Sequence, residues 1–232
     1  MRLAIRILTY QRSDGKTPYF LRKALESIKN QTYQDYKVFL IGDKYDDNDE
    51  FVNIATSVIP EENIFFHNLD SAYEREKYDS GSMQLWCAGG TKASNYCINK
   101  LLEEGYSWAC HLDHDDFWER THLESIVSNI NKLDDSYIFG ATKSTYKVNK
   151  ILPSRYNNPD LYYPLNGDLI HSSVCVNWRE TPLRFRDVFE DEGRYHAGDG
   201  DMWERLTEYM KNNNRKGFLV DRITCHHETE RE

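Results

Sequence analysis

Short apolar runs separated by amphipathic stretches divide the first half of the chain. Strands are predicted at four apolar runs, 3–8, 36–41, 63–67 and 107–112. Helices are predicted where apolar residues recur at helical spacing, at 17–28, 51–58 and 91–105. Strands that alternate with helices favour a doubly wound α/β fold, in which a mostly parallel sheet is flanked by helices.

The second half has fewer clear elements. Its predicted strands are 137–143, 168–176 and 217–220. One helix is predicted after Thr121 and Glu124, which have the spacing of a capping box, and another follows Asp199. Residues 69–88 show no periodicity, and we expect a long surface segment there with a functional role.

Three carboxylates, Asp113, Asp115 and Asp116, directly follow the predicted strand at 107–112. In an extended chain Asp113 and Asp115 point the same way. Carboxylates held together repel each other, and a hard divalent ion relieves that repulsion, usually together with phosphate oxygens. The alternative is an acidic turn that caps the next helix, but that helix has its own capping residues. The pattern therefore favours a metal site.

Polar residues also follow other predicted strands. Thr9, Asp43 and Asp113 all stand at carboxyl ends of strands. In open α/β sheets, ligands bind beyond these ends. We therefore expect the three residues to share one binding site.

The composition restricts the classes of partner. A net charge of −9 argues against nucleic acid and against an anionic membrane surface. The apolar run at 3–8 is too short to cross a membrane, so no intrinsic membrane segment is expected. The five cysteines are scattered and never form a CxxC pair, which indicates reduced thiols in a cytoplasmic protein.

Five segments together form a family signature, namely 7–12 (ILTYQR), 25–33 (LESIKNQTY), 113–116 (DHDD), 122–124 (HLE) and 199–206 (DGDMWERL). In the same order and at matching spacing, they resemble the family 2 glycosyltransferases of the GT-A fold. The resemblance covers nearly the whole chain and implies a single GT-A domain over 1–232. Its nucleotide-sugar-binding half would be 1–118, and its acceptor-binding half 119–232.

The resemblance implies an inverting, metal-dependent, hexosyltransferase-like enzyme of polysaccharide biosynthesis. It would move a sugar from a nucleotide sugar, expected to be UDP-linked, to a saccharide or glycoconjugate acceptor. The residues implied to bind the nucleotide sugar are Thr9, Tyr10, Arg12, Asp43, Lys92 and Asp113. Those implied to hold Mn²⁺ or Mg²⁺ are Asp113 and Asp115, the DXD motif. His226 and His227 are further candidate metal ligands, because neutral imidazole binds such ions.

Asp199 is the expected general base. An inverting transfer needs one carboxylate to accept the proton of the acceptor hydroxyl. Alternatively, Asp199 is the N-cap of the helix that starts near Gly200, and Asp201 is a second cap or a supporting residue. His171 would face the acceptor or pack within a strand. At least one of the two tail histidines is expected to be exposed.

Three positions depart from the family pattern. Gly42-Asp43-Lys44-Tyr45 replaces Asp-Asp-Gly-Ser, so only Asp43 can bind the base as a carboxylate. Ser94 stands where arginine is usual, which removes a positive charge that Lys92 is expected to replace. Gly198 precedes Asp199 where glutamate is common.

Two other functions are open on the sequence. A metal-dependent phosphohydrolase would use the His111–Asp116 segment as a dinuclear centre, but such centres need further ligands from other strand ends. A non-catalytic relative that binds sugar nucleotides or glycans would not need Asp199.

Overall fold

One nine-stranded sheet organises the computed structural model, which describes residues 1–147, 150–154, 156 and 158–227. Its strands are β1 (Leu3–Thr9), β2 (Tyr36–Gly42), β3 (Ile64–Asn68), β4 (Trp108–Asp113), β5 (Asp116–Trp118), β6 (Tyr137–Tyr146), β7 (Lys150–Leu152), β8 (Val174–Asn177) and β9 (Lys216–His227). The helices are α1 (Thr17–Lys29), α2 (Asn48–Val58), α3 (Glu74–Lys77), α4 (Met83–Ala88), α5 (Thr91–Glu103), α6 (His122–Ile130), α7 (Val188–Glu192) and α8 (Gly198–Asn212).

The strand order is β3-β2-β1-β4-β8-β6-β9-β5, with β7 beside β6. The longest pairings are parallel, between β1 and β2 and between β6 and β9. β8 joins the two parallel groups, because it is antiparallel to both β4 and β6. The predicted α/β fold, with a mostly parallel sheet flanked by helices, is confirmed.

Both faces of the sheet are covered, which explains why its inner strands are apolar on both sides. One face packs against α1, α2 and α6 through residues such as Leu21, Phe51 and Leu123. The other packs against α5 and α8 through residues such as Ile98 and Met202. Side chains along β1 and β4 alternate between these two layers.

Three predicted elements differ from the structure. Residues 69–88 contain α3 and α4, and helices of four and six residues are too short to show a periodic stripe. Only the end of the predicted strand at 168–176 is extended, because His171–Ser173 forms a 3₁₀ turn. The last strand continues to His227, and His226 and His227 are both partly buried, so the prediction that one of them is exposed is wrong.

The start of α6 also differs from the prediction. Thr121 makes no side-chain capping hydrogen bond, so the predicted capping box is wrong. Glu124 instead accepts a hydrogen bond from the Thr32 hydroxyl at 2.9 Å, which joins α6 to the segment after α1. In the described part of the chain, no helix is both long and apolar enough to cross a membrane.

Candidate functional site

The carboxyl ends of β1, β2 and β4 meet at one edge of the sheet. Leu8 pairs with Asp113, and the Asp43 N–H donates to the Thr9 carbonyl at 2.7 Å. An open cavity of about 930 Å³ lies at this edge. That volume is typical of sites for small molecules and cofactors. Six predicted site residues line it, namely Thr9, Tyr10, Arg12, Asp43, Asp113 and Asp115.

Asp43 and Arg75 form an ion pair at the cavity wall. Arg75 Nε donates to Asp43 Oδ2 at 3.0 Å, and the Arg75 guanidinium lies 5.0 Å from the Tyr10 ring centroid. Burial raises the pKa of Asp43, while Arg75 acts in the opposite direction. Tyr10 lines the cavity and keeps 39% of its surface exposed, so part of its ring is available to a ligand. Sequence reasoning missed Arg75, because it lies in the segment that showed no periodicity.

Lys92 lies elsewhere than expected. It is exposed at the first turn of α5, outside the residues that line the cavity, and its ammonium is 6.0 Å from the Tyr73 ring centroid. The Lys92 N–H donates to Glu74 Oε1 at 3.1 Å. Glu74 is buried, and this burial raises its pKa to about 7. Arg75, and not Lys92, is therefore the cation beside Asp43.

Hydrogen bonds with Ser172 hold the acidic turn between β4 and β5 in place. The Asp113 N–H donates to Ser172 Oγ at 2.9 Å, and the Ser172 hydroxyl donates to Asp116 Oδ2 at 2.6 Å. Asp116 is 1% exposed and also contacts His227 Nδ1 at 3.1 Å. Asp116 is thus an internal structural acid. Asp115 lines the cavity and lies 3.4 Å from the Arg12 guanidinium.

The chemistry at the cavity fits a metal ion only if a ligand completes its coordination. No group of three or more His, Cys, Asp or Glu side chains within the described ranges is arranged to hold a metal ion. Asp113 and Asp115 line the same cavity and offer two carboxylates. Magnesium and manganese sites of this kind take further oxygens from phosphate and water. The residues present therefore fit a metal–diphosphate complex better than a metal ion alone.

The two C-terminal histidines lie outside the cavity lining. His226 uses both ring nitrogens, at 2.8 Å from Glu119 Oε1 and 3.0 Å from Thr145 Oγ1. His227 contacts Asp116, as described above. Both side chains are partly buried along β9. Their role as metal ligands stays a prediction, and His226 would have to release one of its hydrogen bonds.

Asp199 lies in the first turn of α8, outside the residues that line the cavity, and does not cap the helix. The N-cap is Ala197, so the capping alternative for Asp199 is wrong. Its Oδ1 accepts from the Gly200 N–H at 2.7 Å, at the N-terminal end of the helix. A Cβ at Gly198 would lie 2.7 Å from the Cys87 carbonyl oxygen, so α8 starts against α4.

Asp201 has a different environment. It is 4% exposed and accepts hydrogen bonds from Arg186 Nη2 and Arg205 Nε, each at 2.7 Å. Burial raises the pKa of Asp201, but these two arginines outweigh it and hold the pKa below its usual value. Asp201 is therefore an ion-pair partner rather than a cap.

Comparison with known proteins identifies the broad family. An uncharacterized glycosyltransferase of Acanthamoeba polyphaga mimivirus is 34% identical over 239 residues, which cover 99% of this chain and 95% of the relative. No protein-family profile matches the chain.

Solved structures agree on the fold. The S. aureus TarS structure with UDP-GlcNAc superposes with a TM-score of 0.63 at 12% identity, covering 97% of this chain and 58% of that one. A Pyrobaculum calidifontis mannosyltransferase with GDP-Man and Mn²⁺ gives a TM-score of 0.52 at 10% identity, covering 97% of this chain and 56% of that one. The chain thus spans less than two thirds of these structures, and the likeness shows the fold alone. The predicted GT-A-type fold is confirmed, and the mimivirus relative shows that the chain belongs to the glycosyltransferases.

Proposed function

We propose that this glycosyltransferase moves a sugar from a UDP-linked donor to a saccharide or glycoconjugate acceptor, with a divalent ion and with inversion, as in family 2. The observation that carries the proposal is the convergence of Asp43, Asp113 and Asp115 on one cavity. The five free, buried cysteines support a cytoplasmic location, since unpaired thiols are typical of reducing compartments.

The nucleoside binds between Tyr10 and Asp43 in this proposal. The exposed face of Tyr10 stacks on the base, and Asp43 accepts a hydrogen bond from a base N–H. Arg75 already binds Asp43 Oδ2, so it orients the carboxylate. The TarS complex with UDP-GlcNAc supports UDP as the nucleotide, because that protein shares the fold.

Asp113 and Asp115 hold the divalent ion together with the diphosphate. When bound, such an ion neutralises the charge that develops on the departing nucleoside diphosphate. Arg12, which also lines the cavity beside Asp115, adds a positive charge near the same oxygens. The Mn²⁺ in the Pyrobaculum mannosyltransferase structure supports a metal in this fold.

Asp199 accepts the proton of the acceptor hydroxyl. The hydroxyl oxygen forms the new bond to the anomeric carbon, and the bond to the diphosphate breaks on the opposite face, which inverts the configuration. The acceptor lies beside α4 in this proposal, because α8, which carries Asp199, starts against that helix. Trp86 on α4 lines the cavity and is 64% exposed, so its indole face is available to stack on an acceptor sugar.

Acceptor-dependent release of UDP tests the proposal. The protein is incubated with Mn²⁺, UDP-sugars and a panel of p-nitrophenyl glycosides, and the product anomer is read by NMR. We expect an α-linked donor to give a β-linked product, and Asp199→Asn to lower turnover by about 10²–10⁴-fold while donor binding survives. Wild-type turnover in Asp199→Asn would show that the base is another residue, and an α-linked product would exclude inversion.

A further inference from the structure

A buried arginine lies behind the donor site. Arg6 is on β1 and is 2% exposed. It pairs with His111 on β4, two residues before Asp113. Because side chains alternate along a strand, Arg6, His111 and Asp113 all face the layer that contains α5 and α8. The Arg6 guanidinium therefore lies on the same side of the sheet as the Asp113 carboxylate.

The contacts of Arg6 hold its guanidinium in one place. One terminal nitrogen lies 2.6 Å from His171 Nε2, and the other donates to Ser94 Oγ. The Phe185 ring centroid lies 5.1 Å from the guanidinium carbon. Burial lowers the pKa of Arg6, whereas Cys97 and Asp113 raise it. An arginine stays charged in proteins, so this is a permanent buried cation.

The histidines around Arg6 are neutral. The Trp178 indole N–H can only donate, so His111 Nε2 accepts its hydrogen bond at 3.2 Å. His111 Nδ1 then carries the proton and donates to His171 Nε2 at 3.1 Å. Arg6 is thus the positive charge of this cluster, and His171 packs in it instead of facing an acceptor.

Burying a charge costs free energy, so its position needs an explanation. Asp113 is one charge that Arg6 interacts with, and Asp113 lines the cavity. Ser94, where the family pattern has arginine, accepts a hydrogen bond from Arg6. Lys92 lies outside the cavity lining. Arg6 on β1 therefore adds a buried positive charge behind Asp113, next to the cavity charges of Arg12 and Arg75.

We propose that Arg6 is a positioning residue for the donor: its fixed charge, behind Asp113, weakens binding of a free divalent ion and strengthens binding of the diphosphate. The ion then binds together with the nucleotide rather than before it. This inference rests on the proposed function, because it assigns Arg6 to the same donor site.

Calorimetry with Mn²⁺ alone and with UDP alone tests this role. Arg6→Met is expected to bind Mn²⁺ about tenfold more tightly and UDP about tenfold more weakly. Opposite changes are specific to a charge effect, whereas a purely structural role would weaken both ligands. Arg6→Ser combined with Ser94→Arg returns the charge to the same space from α5, and both affinities should return towards those of the wild type.

Arg2→Met is the matched control. It removes one positive charge at the other end of β1, about 20 Å from Asp113 by strand length, and should change neither affinity. If Arg6→Met does not fold, the double variant Arg6→Ser/Ser94→Arg decides between the two roles. Affinities for Mn²⁺ and UDP near those of the wild type support the inference, and weaker binding of both ligands overturns it. Unchanged affinities in a folded Arg6→Met also overturn it while leaving the proposed function intact. A wild-type protein that binds UDP neither alone nor together with Mn²⁺ would refute both.

Discussion

Asp199 and Asp201 are two positions apart, but their surroundings differ. Asp201 is buried between Arg186 and Arg205, whereas Asp199 is partly exposed and binds only the Gly200 N–H among the hydrogen bonds described. Removing one partner from a buried ion pair leaves charge uncompensated. We expect Asp201→Asn to cost about 2–3 kcal/mol of stability and Asp199→Asn little. Thermal unfolding of both variants tests this, and an unchanged melting temperature in Asp201→Asn would contradict the structural role.

Glu74 makes stability depend on pH. Its pKa is raised to about 7 by burial, so the folded protein keeps a proton that the unfolded chain releases near pH 4.5. Stability therefore falls as the pH rises from about 4.5 to 7, and the whole loss is present above 7. Glu74→Gln has no charge to bury and is expected to stabilise the protein by about 1–2 kcal/mol at pH 8, but not at pH 4.5.

Urea unfolding at both pH values measures this effect. Glu62→Gln is the control, because Glu62 is exposed and should give no difference at either pH. An equal effect of Glu74→Gln at pH 4.5 and pH 8 would show that the carboxyl of Glu74 does not carry a raised pKa.

At the residue scale, the site residues that the sequence predicts best are those at strand ends and those within motifs. Thr9, Asp43 and Asp113 were predicted because each follows a strand, and the parallel sheet brings such ends together. Arg75 was not predicted, because α3 is too short to leave a pattern and its pairing with Asp43 spans 32 positions. Nothing local in the sequence indicates that Arg6 reaches Ser94, 88 positions away.

At the scale of the elements, the short helix α4 carries Trp86, which binds the acceptor in the proposed function. Trp86→Ala removes the indole face and is expected to raise the acceptor KM about tenfold with little change in the donor KM. Trp86→Phe keeps an aromatic face and should retain most acceptor affinity. Tyr19→Ala is the control, since Tyr19 is 59% exposed on α1 and outside the cavity lining.

Steady-state kinetics with varied acceptor and varied donor separate the two sites. A rise confined to the donor KM would move Trp86 to the donor site. No change in either KM would remove Trp86 from the binding site.

The sequence predicted the elements in which an apolar periodicity extends over several turns. The prediction failed where contacts between distant segments determine the structure. The stripes of α1, α5 and α8 were found because each spans several turns. β9 was predicted too short, because its second half contains charged and polar residues that alternate poorly. It is nevertheless a strand, since it pairs with both β5 and β6. Such pairing between distant segments is a tertiary property.

At the scale of the whole molecule, one sheet connects the cavity to the second half of the chain. β8 runs antiparallel to β4 and joins the second half to the strands that end at the cavity. The division of this single domain into a nucleotide-sugar-binding half, 1–118, and an acceptor-binding half, 119–232, stays a prediction. The central claim is that this cavity binds a nucleoside diphosphate together with a divalent ion.

Thermal unfolding with UDP, GDP, dTDP and CMP sugars, each with and without Mn²⁺, tests that claim most directly. A ligand at about a hundred times its dissociation constant should add roughly 2.7 kcal/mol of stability. For a chain of this length that raises the melting temperature by about 5–11 °C, at about 2–4 °C per kcal/mol. We predict this shift for a UDP sugar with Mn²⁺ and a much smaller one for either alone. The absence of a shift with every nucleotide, with or without Mn²⁺, would contradict the account.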